Sequence, residues 1–417
     1  MYDPLVIIAV IFGLYMAMNI GANDVANSMA NAVGSRALTV FWAVVLASIF
    51  EFAGAFLVGG HVTNTVRKGI IDTQAFADNP YILAVGLVCA LLAAATWLNM
   101  ASWFGLPVST THSIVGAIAG FGVLRAGFGH VHWGTLGQVV ASWFISPVAG
   151  GIIAFLVFTL IARFVLGDNK PVRAALAGVP ITTFFVFVIM TLGTIIKGLK
   201  NLDWHPSLGQ TVLISGLIGL AAAAISYAAL RKLWGGHSEE ESAREQLAKV
   251  ERVFAVLVVI TSCAVAFAHG SNDVANAIGP LAGVIEIVQS GAIPEQALVP
   301  NWVLALGGIG IVIGLSTFGY RVMRTVGSDI TNITPSRGVA ADIGATITVL
   351  TCSNMGLPIS TTHTLVGAII GVGFARGITG VNRATVMRIF FSWFATLPVV
   401  AIMTIIFYLI AHFAFGV

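Results

Sequence analysis

Hydrophobic residues in this chain fall into runs much longer than a soluble helix needs. Those near residues 5–20, 37–59, 81–103, 135–166, 180–198, 210–233, 302–320 and 385–415 are apolar on every side. Roughly 20 helical residues cross the hydrocarbon core of a bilayer. Strands of a membrane barrel are short and alternate in polarity, so these runs predict helices and an all-α integral membrane protein. The segment Met1-Tyr2-Asp3-Pro4 ahead of the first run lacks the basic region of a cleavable signal. That run is therefore expected to be a retained helix.

The polar interruptions carry the next layer of information. Residues 234–252 form the main aqueous break, with Arg231 and Lys232 just before it and Arg244, Lys249 and Arg252 inside it. The positive-inside tendency places this linker in the cytoplasm. On either side of it the chain repeats. Gly21-Ala-Asn-Asp-Val-Ala-Asn27 matches Gly270-Ser-Asn-Asp-Val-Ala-Asn276 at a shift of 249 (270 − 21). Gly105-Leu-Pro-Val-Ser-Thr-Thr-His112 matches Gly356-Leu-Pro-Ile-Ser-Thr-Thr-His363 at a shift of 251 (356 − 105). Ser142-Trp-Phe144 returns as Ser392-Trp-Phe394. The expected division is a first transmembrane repeat over 1–170, connecting transmembrane helices over 171–233, the linker over 234–252 and a second repeat over 253–417. Repeat-built membrane proteins hold their substrate near the midplane, at interrupted helices.

Composition narrows the function classes. With 58% hydrophobic and 9% charged residues, against about 25% charged in a soluble domain, there is no room for a soluble catalytic domain. A net charge of +3 with scattered basic residues does not suggest nucleic acid. Cys89, Cys263 and Cys352 have no paired spacing and read as small apolar residues.

Asn23, Asp24 and Asn27, with Asn272, Asp273 and Asn276, break the apolar pattern most sharply. An Asp at the centre of a membrane helix costs roughly 2.5 to 3.5 kcal/mol, which a bound cation would offset. A carboxylate with nearby amide oxygens is a hard ligand set suited to sodium. A proton on the carboxylate and a plain helix-to-helix contact are the alternatives. Gly21 and Gly270 are expected to let the helix unwind there and free carbonyls for the ion.

In the second motif Ser109 and Ser360 stand at N-cap positions, each followed by an apolar helix. Thr110 and Thr111, like Thr361 and Thr362, then occupy a first turn whose free N–H groups and dipole favour an anion. Their hydroxyls would surround a tetrahedral oxyanion from two sides. His112 and His363 are candidates to orient the loop by a hydrogen bond, donate to the anion or pass protons. No Lys or Arg lies within either motif, and Arg125 and Arg376 fall 16 residues beyond the two serines (125 − 109; 376 − 360). Two ionised Asp residues and a phosphate of charge −1 or −2 would gather −3 to −4 in one low-dielectric site. Two or three sodium ions, or protons, must then travel with the anion. Glu51 and Asp342, also within apolar sequence, are candidate ligands for a further cation or gating groups.

The paired Gly-x-Asn-Asp-Val-Ala-Asn and Gly-Leu-Pro-x-Ser-Thr-Thr-His motifs resemble those of the inorganic phosphate transporter (PiT) family across nearly the whole chain. The resemblance implies about twelve membrane segments, including broken or re-entrant helices, in two inverted repeats, and a homodimer in the cell (inner) membrane. It implies phosphate binding by Ser109, Thr110, Thr111, Ser360, Thr361, Thr362, Asn23 and Asn272, and sodium binding by Asp24, Asn27, Asp273 and Asn276. Eukaryotic relatives carry a functional Glu in the stretch resembling Ile49-Phe50-Glu51 and a second one where this chain has Asp342, a shorter acid. The expected function is import of inorganic phosphate by symport with sodium, with no cofactor beyond the co-transported ions.

Proton-coupled phosphate (or metal-phosphate) symport and sulfate permeation are the rivals within transport. Phosphate can share a proton with a carboxylate near neutral pH and sulfate cannot, which favours phosphate. A membrane enzyme acting on phosphorylated lipid, with His112 as base, fits poorly because two near-identical half-sites leave no distinct acid, base and nucleophile. A channel would need looser binding than a joint cation and anion site provides.

Overall fold

The computed structural model describes residues 3–58, 69–198, 206–234, 242–293, 299–354, 359–375, 377 and 380–416. The expectations for Gly356-Leu357-Pro358 and Arg376 fall outside these. Asp3 opens helix α1 (Pro4–Ile20) by accepting from Leu5 N at 2.8 Å, with Pro4 in the first turn, where its missing N–H costs nothing. The helix runs on through a π-helical turn, Gly21–Val25, and a short turn, Ala26–Ser28, into α2 (Ala30–Gly34). Next come α3 (Val40–Val58), α4 (Pro80–Trp103), α5 (Thr110–Arg125) and α6 (Trp133–Ile161). Helices α7 (Pro171–Gly198) and α8 (Leu208–Trp234) pair with each other.

The second half consists of α9 (Ala243–Asp273), α10 (Ala275–Ser290), α11 (Asn301–Arg324), α12 (Pro335–Asn354), α13 (Thr361–Phe374) and α14 (Arg383–Phe415). Its order repeats that of α1 to α6. Among the described residues the β-structure is a lone bridge between Ile71 and Val131. Nine described helical stretches are long and apolar enough to cross a bilayer. The shorter or more polar α5, α12 and α13 complete the membrane segments that the repeats require.

The charged break is only partly a loop. Residues 235–241 lie outside the described residues, but α9 begins at Ala243, because Ser242 and Glu245 form a capping box in which Ser242 N donates to Glu245 Oε2 at 3.0 Å and Glu245 N to Ser242 Oγ at 3.4 Å. Reciprocal bonds of this kind satisfy donors that a helix start would leave open.

The two halves exchange partners. Helix α6 of the first packs on α13 of the second, and α14 of the second packs on α5 of the first. In the same way α9 lies on α3 and α1 on α11. In the hairpins α4–α5 and α12–α13 the paired helices pack on each other, and the first turns of α5 and α13 meet Asp24 and Asp273 in the interior. Exposed Leu, Ile and Phe side chains cover the outer faces of α6, α7, α8 and α14, as lipid contact demands.

Candidate functional site

The turn ahead of α5 is held by the Asn-Asp segment of its own half. Asn23 Nδ2 donates to Ser102 Oγ at 3.0 Å and to Leu106 O at 2.9 Å, while its Oδ1 accepts from Val108 N at 3.0 Å. With both amide protons engaged, Asn23 shapes the turn ahead of α5. Ser109 caps α5 by accepting from His112 N at 3.2 Å, and Ser360 caps α13 by accepting from His363 N at 3.2 Å. The N-cap roles expected of both serines are in place.

The threonines then meet the carboxylates. Asp24 accepts from Thr110 N at 3.2 Å and from the Thr362 hydroxyl of the other half. Asp273 accepts from Thr361 Oγ1 at 3.1 Å and from Asn272 Nδ2 at 2.7 Å. The carboxamides reach across the halves: Asn27 Nδ2 donates to Thr362 Oγ1 at 3.1 Å, and Asn276 Nδ2 donates to Thr110 Oγ1 at 3.2 Å and Thr111 Oγ1 at 3.1 Å. Apart from Asn272 and the first-turn residues Thr111 and Thr361, which are half-buried, these groups are buried. The twelve binding residues expected from the sequence are thus gathered at one place, where the halves touch.

A carboxylate oxygen from Asp24, one from Asp273 and a ring nitrogen of His269 lie within 4.8 Å of one another. At that distance two like charges repel by about 3.5 kcal/mol for an effective dielectric of 20. The adjoining cavity, about 30 Å³, is lined by Asp24, Asn27, His269, Thr361 and Thr362 and closed by Val265, Val349 and Leu365. That space suits one water molecule or a bare ion. Among the described residues, neither Lys nor Arg lines it.

Gly270 lies within the regular helix α9, whereas Gly21 begins a π-helical turn, so the loosening expected of both is found at Gly21 alone. A Cβ built on Gly21 would lie 1.9 Å from Ile311 O, and one on Gly270 would lie 2.3 Å from Glu51 O. The glycines let neighbouring backbones touch, so the expected freeing of carbonyls is replaced by close packing. The π-helical turn at Gly21–Val25 is where the first helix widens.

His112 and His363 also depart from expectation. Among the described residues none of their four ring nitrogens has a hydrogen-bond partner. The rings instead meet edge to face with centroids 4.8 Å apart, Trp393 stacks on His363 at 3.6 Å, and Trp143 flanks His112 at 5.8 Å. Trp393 Nε1 in turn donates to Pro107 O at 2.9 Å, tying the aromatic stack to the first hairpin turn.

Asp342 stands apart from the central carboxylates. It accepts from Asn31 Nδ2 at 2.6 Å, Thr261 Oγ1 at 2.6 Å and Ser262 Oγ at 3.0 Å. It also lines a separate cavity of about 260 Å³ against Thr182 and Phe185 of α7.

Residues 20–404 match the phosphate transporter family. The chain belongs to that family. It is 43% identical to a Haemophilus influenzae protein named as a phosphate permease, over 99% of this chain and 98% of that protein. It is 44% identical to inorganic phosphate transporter 2-1, chloroplastic, of Arabidopsis thaliana, over 95% of this chain and 70% of that protein. A solved structure, the sodium-dependent phosphate transporter, superposes with a TM-score of 0.90 at 41% identity, covering 99% of this chain and all of that one. The chain is accordingly a multi-pass membrane transporter of phosphate and not an enzyme.

Within this family fold, His269 is the functional candidate that sequence reasoning passed over. Its Nε2 lies 2.6 Å from Asp273 Oδ2 and its Nδ1 3.2 Å from the Glu51 carboxylate. Glu51 is thereby joined to the centre. The matching places in the other half can be located from four backbone contacts. Gly270 meets Glu51 where Gly21 meets Ile311, and Gly54 meets Phe267 where Gly314 meets Met18. The shifts agree: 260 for α3 onto α11 (311 − 51; 314 − 54) and 249 for α1 onto α9 (270 − 21; 267 − 18). Glu51 and His269 thus stand where the other half has Ile311 and Ile20, both buried and apolar. The signal that would have found His269 is the comparison of the repeats residue by residue, beyond their shared motifs.

Proposed function

We propose that this chain imports inorganic phosphate by symport with sodium ions. The observation that carries this reading is that threonine groups which would bind the anion now donate to the carboxylates that would bind the cation. Thr362 donates to Asp24 and Thr361 Oγ1 to Asp273. A phosphate oxygen and a carboxylate compete for one hydroxyl proton. A sodium ion on the carboxylate withdraws it from that competition and releases the hydroxyl for phosphate. It also offsets the repulsion between Asp24 and Asp273. Binding of cation and anion is then mutually favourable, which is the thermodynamic core of symport.

In this reading phosphate is held by Ser109, Thr110, Thr111, Asn272, Ser360, Thr361 and Thr362, with Asn23 shaping the turn ahead of α5, and sodium by Asp24, Asn27, Asp273 and Asn276. Glu51 and Asp342 serve a further cation or the gate. The name of the solved relative, a sodium-dependent phosphate transporter, supports sodium over protons. Placement in the cell (inner) membrane as a homodimer belongs to the same reading and rests on the family resemblance.

The test is uptake of labelled phosphate into liposomes containing the purified protein, with sodium and proton gradients imposed separately and sulfate as competitor. A sodium gradient alone should drive accumulation, and Asp24→Asn and Asp273→Asn should each abolish it. Equal uptake under a proton gradient without sodium would defeat the sodium assignment, and full competition by sulfate would defeat phosphate selectivity.

A further inference from the structure

Away from the central site, a pocket of about 780 Å³ opens beside the first turns of α9, lined by Ser35, Arg36, Arg324, Ser328, Asn332 and Thr334 among others. Its floor is rigid. A Cβ built on Gly34 of α2 would lie 2.0 Å from Gly327 O, and one on Gly327 would lie 2.3 Å from Ala30 O, so the two segments are locked backbone to backbone. An arginine leaves each segment, Arg36 just past α2 and Arg324 at the end of α11.

Arg36 is held in an unusual way. Its N donates to Val33 O at 3.0 Å and Ala37 N donates to Ala32 O at 2.9 Å, the two bonds of a Schellman cap. The residue at this position adopts the left-handed conformation and is usually Gly, sometimes Asn. Among the described residues Arg36, with φ 60°, is the one non-glycine in that region. Strain at a residue that could have been glycine points to a use for its side chain.

The electrostatics agree. Arg36 and Arg324 are exposed, and among the described residues neither guanidinium has a hydrogen-bond or ion-pair partner. The carboxylate lining the pocket, Glu251, is already taken by Ser336, which donates to it from N at 2.9 Å and from Oγ at 2.8 Å. Ser35 and Ser328, which also line the pocket, donate their hydroxyls to Ala32 O at 3.3 Å and Arg324 O at 2.7 Å, so the two guanidiniums are what the pocket offers an anion. Two guanidinium forks match the oxygens of a phosphate group. The pocket lies at the end of a membrane span, Asn301–Asp329, the level at which lipid headgroups meet the protein.

We propose that Arg36 and Arg324 form a second, peripheral phosphate-group site, taking either the headgroup of an anionic lipid or free inorganic phosphate. The site is separate from the transport site and does not depend on the coupling ion. The test uses the purified full chain in neutral detergent and the Arg36→Gln/Arg324→Gln double variant. Equilibrium dialysis counts labelled inorganic phosphate per chain, and native mass spectrometry scores retention of phosphatidylglycerol against phosphatidylcholine.

If the source is lipid, the double variant loses phosphatidylglycerol at least ten-fold while phosphate stoichiometry is unchanged. If it is free phosphate, one bound equivalent per chain disappears and the other remains. Arg36→Gly guards against misfolding: it relieves the backbone, so its melting temperature should rise above that of the parent while binding of the same ligand falls. Parent-like binding of both ligands by the double variant and by Arg36→Gly overturns the proposal, as does a parent chain that binds one phosphate equivalent and shows no preference for the anionic lipid.

Discussion

The Glu51–His269–Asp273 chain offers a quantitative check because the other half of the protein shows what an apolar version looks like. His269→Ile leaves Glu51 buried without its imidazole partner and takes one partner from Asp273. Breaking a buried pair in this way costs about 3 to 5 kcal/mol. Glu51→Ile is milder, since His269 keeps Asp273 at 2.6 Å. In the double variant the orphaned carboxylate is gone and the pair becomes the Ile–Ile pair of the matching interface. Adding Glu51→Ile to His269→Ile should therefore restore about 2 to 3 kcal/mol, less about 1 kcal/mol for the bulkier side chains.

Equilibrium unfolding of the four proteins in one detergent closes this double-mutant cycle. Coupling well above 1 kcal/mol is expected, together with a folded double variant whose sodium-driven phosphate uptake is lost because Asp273 is no longer held. Additivity within about 0.5 kcal/mol would refute the claim that the two residues act as one unit. Wild-type uptake by the double variant would refute the claim that the unit serves transport.

Two further outcomes follow from the same geometry. Asn276→Ala removes bonds of 3.1 and 3.2 Å to Thr111 and Thr110, and Asn27→Ala removes one of 3.1 Å to Thr362 and one of 3.4 Å to Asp24. At about 0.5 to 1.5 kcal/mol per bond, each should raise the KM for phosphate by up to about a hundred-fold; an unchanged KM in either would remove that residue from the site. Gly314→Ala and Gly54→Ala would place a Cβ 1.6 Å from Met18 O and 2.2 Å from Phe267 O, and both should collapse the yield of monodisperse protein on size-exclusion chromatography. Gly178→Ala, with open space around its Cβ, is the control that should leave the yield intact.

The parts of this fold that were legible in the sequence are those governed by long-range composition and duplication. Runs of apolar residues could only be membrane helices, and two motif pairs at nearly one shift named the residues that meet at the centre. What stayed hidden depends on which backbone touches which. Gly270 read as a point of unwinding because a glycine's neighbours across a helix interface leave no mark in the local sequence. His269, one ring near the end of the long helix α9, gave no motif of its own and acquires meaning only when α3 brings Glu51 against it. The start of α9 was hidden within a charged stretch because Ser242 and Glu245 form a cap that offsets poor local hydrophobicity.

The departures from the repeat are as informative as the repeat itself. The shared residues, Asp, Asn and Thr from each half, make a nearly symmetric cluster, as is needed if the proposed site is to face either side of the membrane in turn. Two groups of unmatched polar residues include the carboxylates. Glu51 and His269 answer Ile311 and Ile20. Around Asp342, subtracting the shifts of 251 and 249 pairs Asp342 with Leu91, Thr261 with Phe12 and Ser262 with Gly13, while Asn31 pairs with Pro280 (342 − 251; 261 − 249; 262 − 249; 31 + 249). Each of these groups is buried, and a buried carboxylate is far costlier to hold dry than to hydrate. The cost is carried by α3, α9, α2 and α12 and not by their counterparts. Any motion that wets these helices gains solvation that the mirror-image motion does not, so two halves built from one ancestral sequence are no longer equivalent in energy.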